Sequence, residues 1–406
     1  MFSSIPILFR QLANAASPTA AKWGAAAGVC TGFVTVNAAI VLTSCISPEP
    51  TVRVATAPAP SAVERYCAWY GDARDGTLYF GQAPFWSALQ ASGGRPTGDL
   101  DREGPALIGR FDLANERLLP PLNVSAGGDR SGVWDVLAHR NGRIYFTSYF
   151  EHAGYIDPDR GVTRRFEALG LGLNELAEGP GGGLLATRYR RQGHSGGSGG
   201  GGSVVLFGVE GTPLAEYRLG APPGWVALPK TVAFDPLRRE IWVTSDGLRE
   251  SDLATQSRGP IDLRRSRHDT YVLDSQGREK RRIAVPEIQF VVFAENGTGY
   301  RAEVEGRLLT LRIVPPAPEP ERIVRLDDRF PGHLDFVQDI QPMPDGRTVV
   351  TRWSGWIHVV GPDLGVRSLR LPSIESGGLY YTAVLSDHRI CATYCADVTV
   401  VCRDLH

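Results

Sequence analysis

The sequence predicts an all-β fold, a seven-bladed β-propeller, behind an N-terminal export segment. Three observations carry this. From about residue 64 onward, short β-rich runs are punctuated by Gly, Pro, Asp and Asn, with no amphipathic helix of ordinary length. One strand–turn–strand pattern recurs along the chain. Near the N-terminus a charge-free apolar stretch stops at a cysteine. The 406 residues are 42% hydrophobic, with 47 Gly and 29 Pro, which is material for a large core rather than a disordered tail. With 43 basic and 44 acidic side chains and no long basic run, the chain lacks the electrostatic footprint of a nucleic-acid-binding protein, and no nucleic-acid partner is expected.

The first 22 residues carry Arg10 and Lys22, and the stretch from Trp23 to Ser44 carries no charge, which is the order of a secretory signal. It ends in Leu42-Thr43-Ser44-Cys45, which resembles the bacterial lipobox, where small residues before a cysteine permit lipid transfer to the thiol and then cleavage. The expected organisation is therefore a signal over 1–44, a Pro/Ala-rich tether over 45–63 starting at lipidated Cys45, and a β-propeller domain over 64–406. An uncleaved membrane anchor and a non-lipidated signal are the alternatives, since about 20 apolar residues can also span a bilayer. On this reading the protein sits in a bacterial cell envelope, on the periplasmic or extracellular side, with the membrane as a partner through the anchor. Ile46 after the cysteine favours the outer membrane.

An oxidising address changes the reading of Cys67, Cys391, Cys395 and Cys402. The run from Arg389 to Cys402 has the form of two strands joined by a tight turn at Ala396-Asp397. If Cys395 faces Val398 across that turn, Cys391 falls opposite Cys402, within cross-strand reach. Cys67 and Cys395 would remain, and a bridge between them would tie the start of the domain to its end. Free thiols and a metal site are the other possibilities.

The repeat is clearest in Gly132-Val-Trp-Asp-Val-Leu-Ala-His-Arg-Asn-Gly-Arg-Ile-Tyr-Phe-Thr147, which aligns without gaps to 172–187. With a turn one residue longer it matches 229–244, it recurs in 337–351, and it is fainter around Asn296-Gly297, Asp75-Gly76 and Asp387-His388. A second hairpin follows each copy, as in 154–166, 204–218 and 270–283. Four strands per repeat form the unit of a propeller, whose blades stack face to face. Blades are expected to start near residues 65, 132, 172, 229, 288, 335 and 379, the last completed by Thr51 to Ala55. Six blades plus an N-terminal appendage is the alternative.

Strings such as Leu173-Asn-Glu-Leu-Ala-Glu-Gly-Pro-Gly-Gly-Gly-Leu-Leu-Ala-Thr187 and Lys230-Thr-Val-Ala-Phe-Asp-Pro-Leu-Arg-Arg-Glu-Ile-Trp-Val-Thr244 resemble the blades of NHL/YVTN-type propellers and of the gluconolactonase/regucalcin (senescence-marker) group. The resemblance covers residues 64 to 405 as architecture, and fold alone does not fix activity. It implies a channel-mouth divalent cation held by one Glu, one Asn and one Asp, where hard oxygen ligands let the ion activate water on a lactone. Asn174 matches that Asn. The Asp, however, falls on Lys230, and the Glu on Arg65 unless the register slips to Glu64. Cations where carboxylates are needed argue against an intact site, so no cofactor is expected. A replacement calcium-type site of Asp135, Asn174, Glu175 and Asp339 is the alternative.

Turns between the first and second strands of each blade are tight, whereas long insertions follow the second strand: 83–105, 189–203 and 246–269. Long loops concentrated on one end of a rigid scaffold mark that end as the working face. The starts of the innermost strands line the channel at the same end. They are Trp134-Asp135, Asn174-Glu175, Lys230-Thr231 and Gln338-Asp339, with Arg65 or Glu64 and Tyr380-Tyr381 as their counterparts in the first and last blades. Trp134, Trp242, Trp353 and Trp356 are expected to pack blades, with one or two at the mouth able to stack on a sugar. Two strings matching the hydrolase nucleophile elbow, 193–197 and 196–200, lie in Gly-rich sequence without the strand-to-helix setting that the elbow needs. The function expected is a binding module for a small polar ligand or an envelope protein. A metal-dependent lactonase is the alternative, and a structural envelope protein the third.

Overall fold

A computed structural model of the chain describes residues 35–36, 39–40, 52–57, 67–83, 105–125, 132–148, 152–188, 202–251, 267–284, 288–316, 318–331, 335–372, 379–386, 389–395 and 398–405. Most of the export segment, Cys45, the tether, Glu64, Arg65 and nearly all of the three long insertions lie outside the described residues. Among the described residues no helix is long and apolar enough to cross a membrane.

Thr35–Val36 (β1) pairs with Ala39–Ile40 (β2), and all other strands form seven antiparallel sheets of four. Val52–Ala57 (β3) joins the last of these. Blade 1 is Cys67–Arg74 (β4), Thr77–Ala83 (β5), Leu107–Asp112 (β6) and Arg117–Asn123 (β7). Blade 2 is Asp135–Ala138 (β8), Ile144–Thr147 (β9), Gly154–Asp157 (β10) and Val162–Arg165 (β11). Blade 3 is Leu173–Glu178 (β12), Leu184–Arg188 (β13), Ser203–Phe207 (β14) and Pro213–Arg218 (β15). Blade 4 is Trp225–Asp235 (β16), Glu240–Arg249 (β17), Arg267–Asp274 (β18) and Glu279–Ala284 (β19). Blade 5 is Ile288–Phe293 (β20), Gly299–Glu305 (β21), Leu308–Val314 (β22) and Arg322–Asp327 (β23). Blade 6 is Val337–Pro342 (β24), Thr348–Arg352 (β25), Trp356–Val360 (β26) and Val366–Arg370 (β27). Blade 7 is Leu379–Ser386 (β28), Arg389–Cys395 (β29) and Val398–Asp404 (β30), with β3 on its outer edge.

The first strand of each blade touches the first strand of the next, and β28 returns to β4, so the sheets close into a seven-bladed β-propeller. β3 pairs with β30 from Val52↔Arg403 to Ala57↔Val398, starting one residue and ending two residues later than the sequence placed it. Six blades plus an appendage is thereby excluded. Apolar side chains from facing sheets fill the space between blades: Leu78, Phe80 and Phe111 meet Val384 and Val400 at the 1/7 seam, and Tyr145 and Tyr155 meet Leu184 and Phe207 between blades 2 and 3. Each buried side chain of this size contributes about 1.5–3 kcal/mol.

The turn after β4 is a two-residue hairpin in which Asp75 and Gly76 both adopt positive φ, 50° and 75°, between the paired Arg74 and Thr77. That geometry matches the twist of the flanking strands and selects Asp-Gly. At the other end of the blades the strands behave differently. The innermost strand slips register at Ala68/Gly71, Leu173/Leu176, Pro229/Thr231, Ile288/Phe290, Val337/Asp339 and Tyr380/Ala383. An irregularity of this kind disrupts the ladder and re-aims side chains. The repeated Thr closing the second strand satisfies the amide freed there: Glu175 N donates to Thr187 Oγ1 at 3.1 Å, Thr231 N to Thr244 Oγ1 at 3.2 Å, and Thr382 N to Thr393 Oγ1 at 3.0 Å.

Both disulfides fall where the cysteine spacing placed them. Cys391 faces Cys402 across β29 and β30, with Cα atoms 4.1 Å apart, and Cys67 bonds Cys395 across the seam between blades 1 and 7. Two disulfides fit an oxidising, extracytoplasmic compartment.

Candidate functional site at the channel mouth

Cys67 pairs with Ala83, Leu173 with Arg188 and Trp225 with Arg249, so the innermost strands begin at the end of the blade where the second strands finish. The insertions at 84–104, 189–201 and 252–266 leave from that end, although they lie outside the described residues. Blade 4 continues furthest in that direction, because Trp225–Pro229 pairs with Ser245–Arg249 beyond the bulge.

Pairing with the second strand fixes which residues are equivalent. Asp135 opposite Thr147, Thr231 opposite Thr244 and Asp339 opposite Thr351 occupy one position. Glu175, Tyr70 and Thr382 fall on it in blades 3, 1 and 7, each just before the residue where regular pairing resumes. Trp134, Asn174, Lys230 and Gln338 stand one residue earlier, with Trp69 and Tyr381 as their counterparts. The register gives Trp69-Tyr70 the positions that the sequence assigned to Arg65 or Glu64, which lie outside the described residues.

The residues from these positions converge. Tyr70 donates its hydroxyl to Gln338 Oε1 at 2.5 Å, a bond from blade 1 to blade 6 that passes blade 7. The Tyr70 ring meets Tyr381 edge-on at 4.8 Å and Trp134 at 6.1 Å; Trp69 lies 4.3 Å from Trp134, and Trp353 lies 6.0 Å from Tyr381. Trp69 and Tyr381 are fully buried, while Tyr70, Trp134, Glu175, Lys230, Phe336 and Trp353 keep partial exposure. The result is an aromatic floor with a mixed polar and aromatic rim. Lys230 holds its ammonium 4.9 Å from the centre of the Phe336 ring.

Burial and mutual proximity set the electrostatics. Glu175 is pushed well above the usual carboxylate range by desolvation, then by Asp135 and Asp339, opposed by Lys230 and a hydrogen bond from Trp134. Asp135 is raised by burial although Val136 N and Leu176 N donate to it at 2.8 and 2.7 Å. Burial lifts Asp339 to about 7 against hydrogen bonds from Gln341 and Thr382, and Asp72 to about 6 against the amides of Ala138 and Ala73. Burial thus favours the protonated form of these carboxyls relative to an exposed carboxylate, and a protonated carboxyl donates as well as accepts. Several of these bonds join blades: Asp72 to Ala138 N, Asp135 to Leu176 N, Asp339 to Thr382, and Thr382 Oγ1 to Gly71 N at 3.1 Å.

Polar atoms without a partner among the described residues of this region include the Thr351 hydroxyl opposite Asp339 and two others. The Tyr381 hydroxyl, on a residue 1% exposed, has no hydrogen-bond partner, nor has Oδ1 of the buried Asn174. A buried group of this kind without a partner costs about 1–3 kcal/mol. Above Lys230, Asp246 accepts from or donates to His268 Nδ1 at 2.8 Å, and its carboxyl stays low despite burial because of His268 and Lys230.

No group of three or more His, Cys, Asp or Glu among the described residues is arranged to hold a metal ion. The alternative set of Asp135, Asn174, Glu175 and Asp339 is not assembled as one: both Asp135 oxygens accept backbone amides, and Asp339 Oδ2 accepts Gln341 Nε2 at 2.9 Å. Sequence reasoning missed Tyr70, Trp69, Asp72 and Phe336. The run Leu78-Tyr-Phe-Gly81 parallels Ile144-Tyr-Phe-Thr147 and was the signal that would have fixed blade 1.

No protein-family model matches the chain, and no curated protein matches it. Solved structures do. A catalytically inactive virginiamycin B lyase from Staphylococcus aureus with quinupristin aligns at TM-score 0.53 and 11% identity, over 88% of this chain and 100% of the lyase. A streptogramin B lyase aligns at 0.52 and 12%, over 87% and 98%. The extracellular domain of a hybrid two-component system from B. thetaiotaomicron aligns at 0.53 and 12%, over 90% of this chain but 42% of that one. What is shared is the fold.

Proposed function

We propose that the protein is an extracytoplasmic propeller, tethered to the envelope membrane through a lipid on Cys45, that binds a small neutral polar ligand at the insertion-bearing mouth. The observation that carries this reading is the convergence, at the inner-strand irregularities, of partly exposed Tyr70, Trp134, Trp353 and Phe336 with Glu175, Lys230 and Gln338. Aromatic faces beside hydroxyl, amide and protonated carboxyl groups suit a saccharide ring, which has one apolar face and a polar perimeter. The orphaned Tyr381 hydroxyl supports it, since a ligand oxygen would supply the missing partner.

The test is the melting temperature of the purified, disulfide-intact protein against a panel of neutral mono- and oligosaccharides and against calcium, manganese and zinc. Stabilisation by a saccharide with no effect of the metals is expected. Stabilisation by a stoichiometric metal, lost in Asn174→Ala and Asp135→Ala, would overturn the reading in favour of a metal-dependent lactonase.

A further inference from the structure

At the opposite end of the ring, between blades 4 and 5, lies a cavity of about 230 Å³ whose lining includes Asp235, Arg238, Trp242, Arg281, Arg301 and Glu321. It sits beside the turns that close the first hairpins, away from the channel mouth. Its walls divide by chemistry. Trp242, Phe293 and Val314 supply an apolar side, and three guanidinium groups supply the other. The Arg281 and Arg301 guanidiniums stand 5.2 and 5.3 Å from the centre of the Trp242 ring.

Two of these cations, Arg281 and Arg301, make no close hydrogen bond to an acid, whereas Arg238 bonds Asp235 at 2.9 Å. Glu303 and Glu321 each hydrogen-bond Arg312 at 2.9 Å, while Arg301, only 13% exposed in its side chain, reaches them at 3.7 and 3.5 Å and its Nε makes no hydrogen bond. Glu240 Oε1 accepts from Lys280 at 2.5 Å, and its buried Oε2, which has no hydrogen-bond partner, lies 3.5 Å from Arg281. Asp235 accepts Arg238 and two backbone amides. The indole N–H of Trp242, a residue 5% exposed, has no acceptor. Burial draws the Arg301 guanidinium below its usual range, and Arg312 and Arg281 act in the same sense. The lining residues carry three positive and two negative charges, an excess that one added anion neutralises. Ordered donors lacking acceptors beside a cavity are the arrangement in which a bound anion gains most.

We propose that this cavity is a second ligand site, which takes the carboxylate of a small organic acid between Arg281, Arg301 and Trp242, with the body of the acid against Phe293 and Val314. The volume lies below the roughly 300–1,000 Å³ of sites for drug-sized ligands, so the occupant is compact. Two parallel N–H···O bonds to a guanidinium favour a planar carboxylate.

Calorimetric titration of the full protein with benzoate tests this, with benzamide as the neutral isostere and sulfate as the inorganic anion. Benzoate is expected to bind one to one and benzamide not at all, with Arg301→Gln and Arg281→Gln each weakening benzoate about tenfold or more. Arg281 is half exposed, so its variant preserves the fold and gives the reading even if Arg301→Gln does not. Equal binding of benzamide, sulfate as tight as benzoate, unchanged affinity in Arg281→Gln, or no heat at millimolar benzoate would each overturn the proposal.

Discussion

Cys67, the first residue of β4, is bonded to Cys395, the last residue of β29, across 328 positions of sequence and 4.4 Å between Cα atoms. The bond lies in the same cluster as Trp69, Tyr70, Trp134, Trp353 and Tyr381, so the closure of the ring and the floor of the mouth are one piece of structure. Blade 7 is also completed by β3, which pairs along β30 and is the outermost strand of that sheet.

The two disulfides should therefore differ in effect. On the chain-entropy account a cross-link stabilises more as the loop it closes lengthens, and the separations here are 328 and 11 residues. Cys67→Ser with Cys395→Ser should lower stability by about 3 kcal/mol more than Cys391→Ser with Cys402→Ser. Urea unfolding of the two double variants checks the order.

Thr244→Val should cost about 1–3 kcal/mol, although the swap is nearly isosteric, because the buried Thr231 amide and hydroxyl both lose their partner. Thr244→Ser, which keeps the hydroxyl, should lose less. Unfolding midpoints of the pair decide it.

In blade 6, Asp335 accepts from Arg352 Nε at 2.8 Å, Ser354 Oγ at 2.6 Å and the amides of Phe336 and Ser354, with Asp335 and Arg352 exposed by only 1% and 2%. Asp335→Ala removes one of the two carboxylate partners of the buried Arg352, leaving Asp327, and takes the acceptor from two amides and the Ser354 hydroxyl, so it should destabilise by about 3 kcal/mol. Its unfolding midpoint in urea should fall far more than that of Asp345→Ala at the exposed turn.

The buried mouth carboxyls predict a pH dependence of a particular sign. Asp339 moves from 3.8 to about 7 on folding, so its contribution is fully present below about pH 4 and is lost as pH rises to about 7. His358 moves from 6.5 to about 4 through burial and the Arg352 charge, so its contribution is present above about pH 6.5 and is lost as pH falls. Asp339→Asn should raise the melting temperature at pH 8 relative to pH 5 compared with wild type, and His358→Gln should do the reverse. Melting curves of the three proteins across that range show whether both slopes exist.

Much of the architecture was legible in the sequence because each blade repeats one hairpin whose turn chemistry and closing Thr are local features. Asn141-Gly142, Asp345-Gly346 and Thr147, Thr187, Thr244 and Thr351 announce themselves without any distant contact. The Cys391–Cys402 pair followed from counting across a single turn. The mouth was harder to read. Equivalence there depends on the irregular pairing in every innermost strand but that of blade 2, which no residue type signals, and the floor is made by side chains from blades 1, 2, 6 and 7 that meet only when the ring closes. Tyr70 and Gln338, 268 residues apart, are neighbours for that reason alone. The inter-blade cavity around Trp242 was invisible for a related cause: Trp242 reads as an ordinary packing residue until Arg281 and Arg301 arrive from two other strands.

The most direct test of the mouth as the ligand site is calorimetric titration of a stabilising saccharide into wild type, Tyr70→Ala and Arg301→Gln. The account predicts that affinity falls at least about tenfold in Tyr70→Ala and is unchanged in Arg301→Gln, whose substitution lies at the other end of the ring. Equal affinity in wild type and Tyr70→Ala would contradict it.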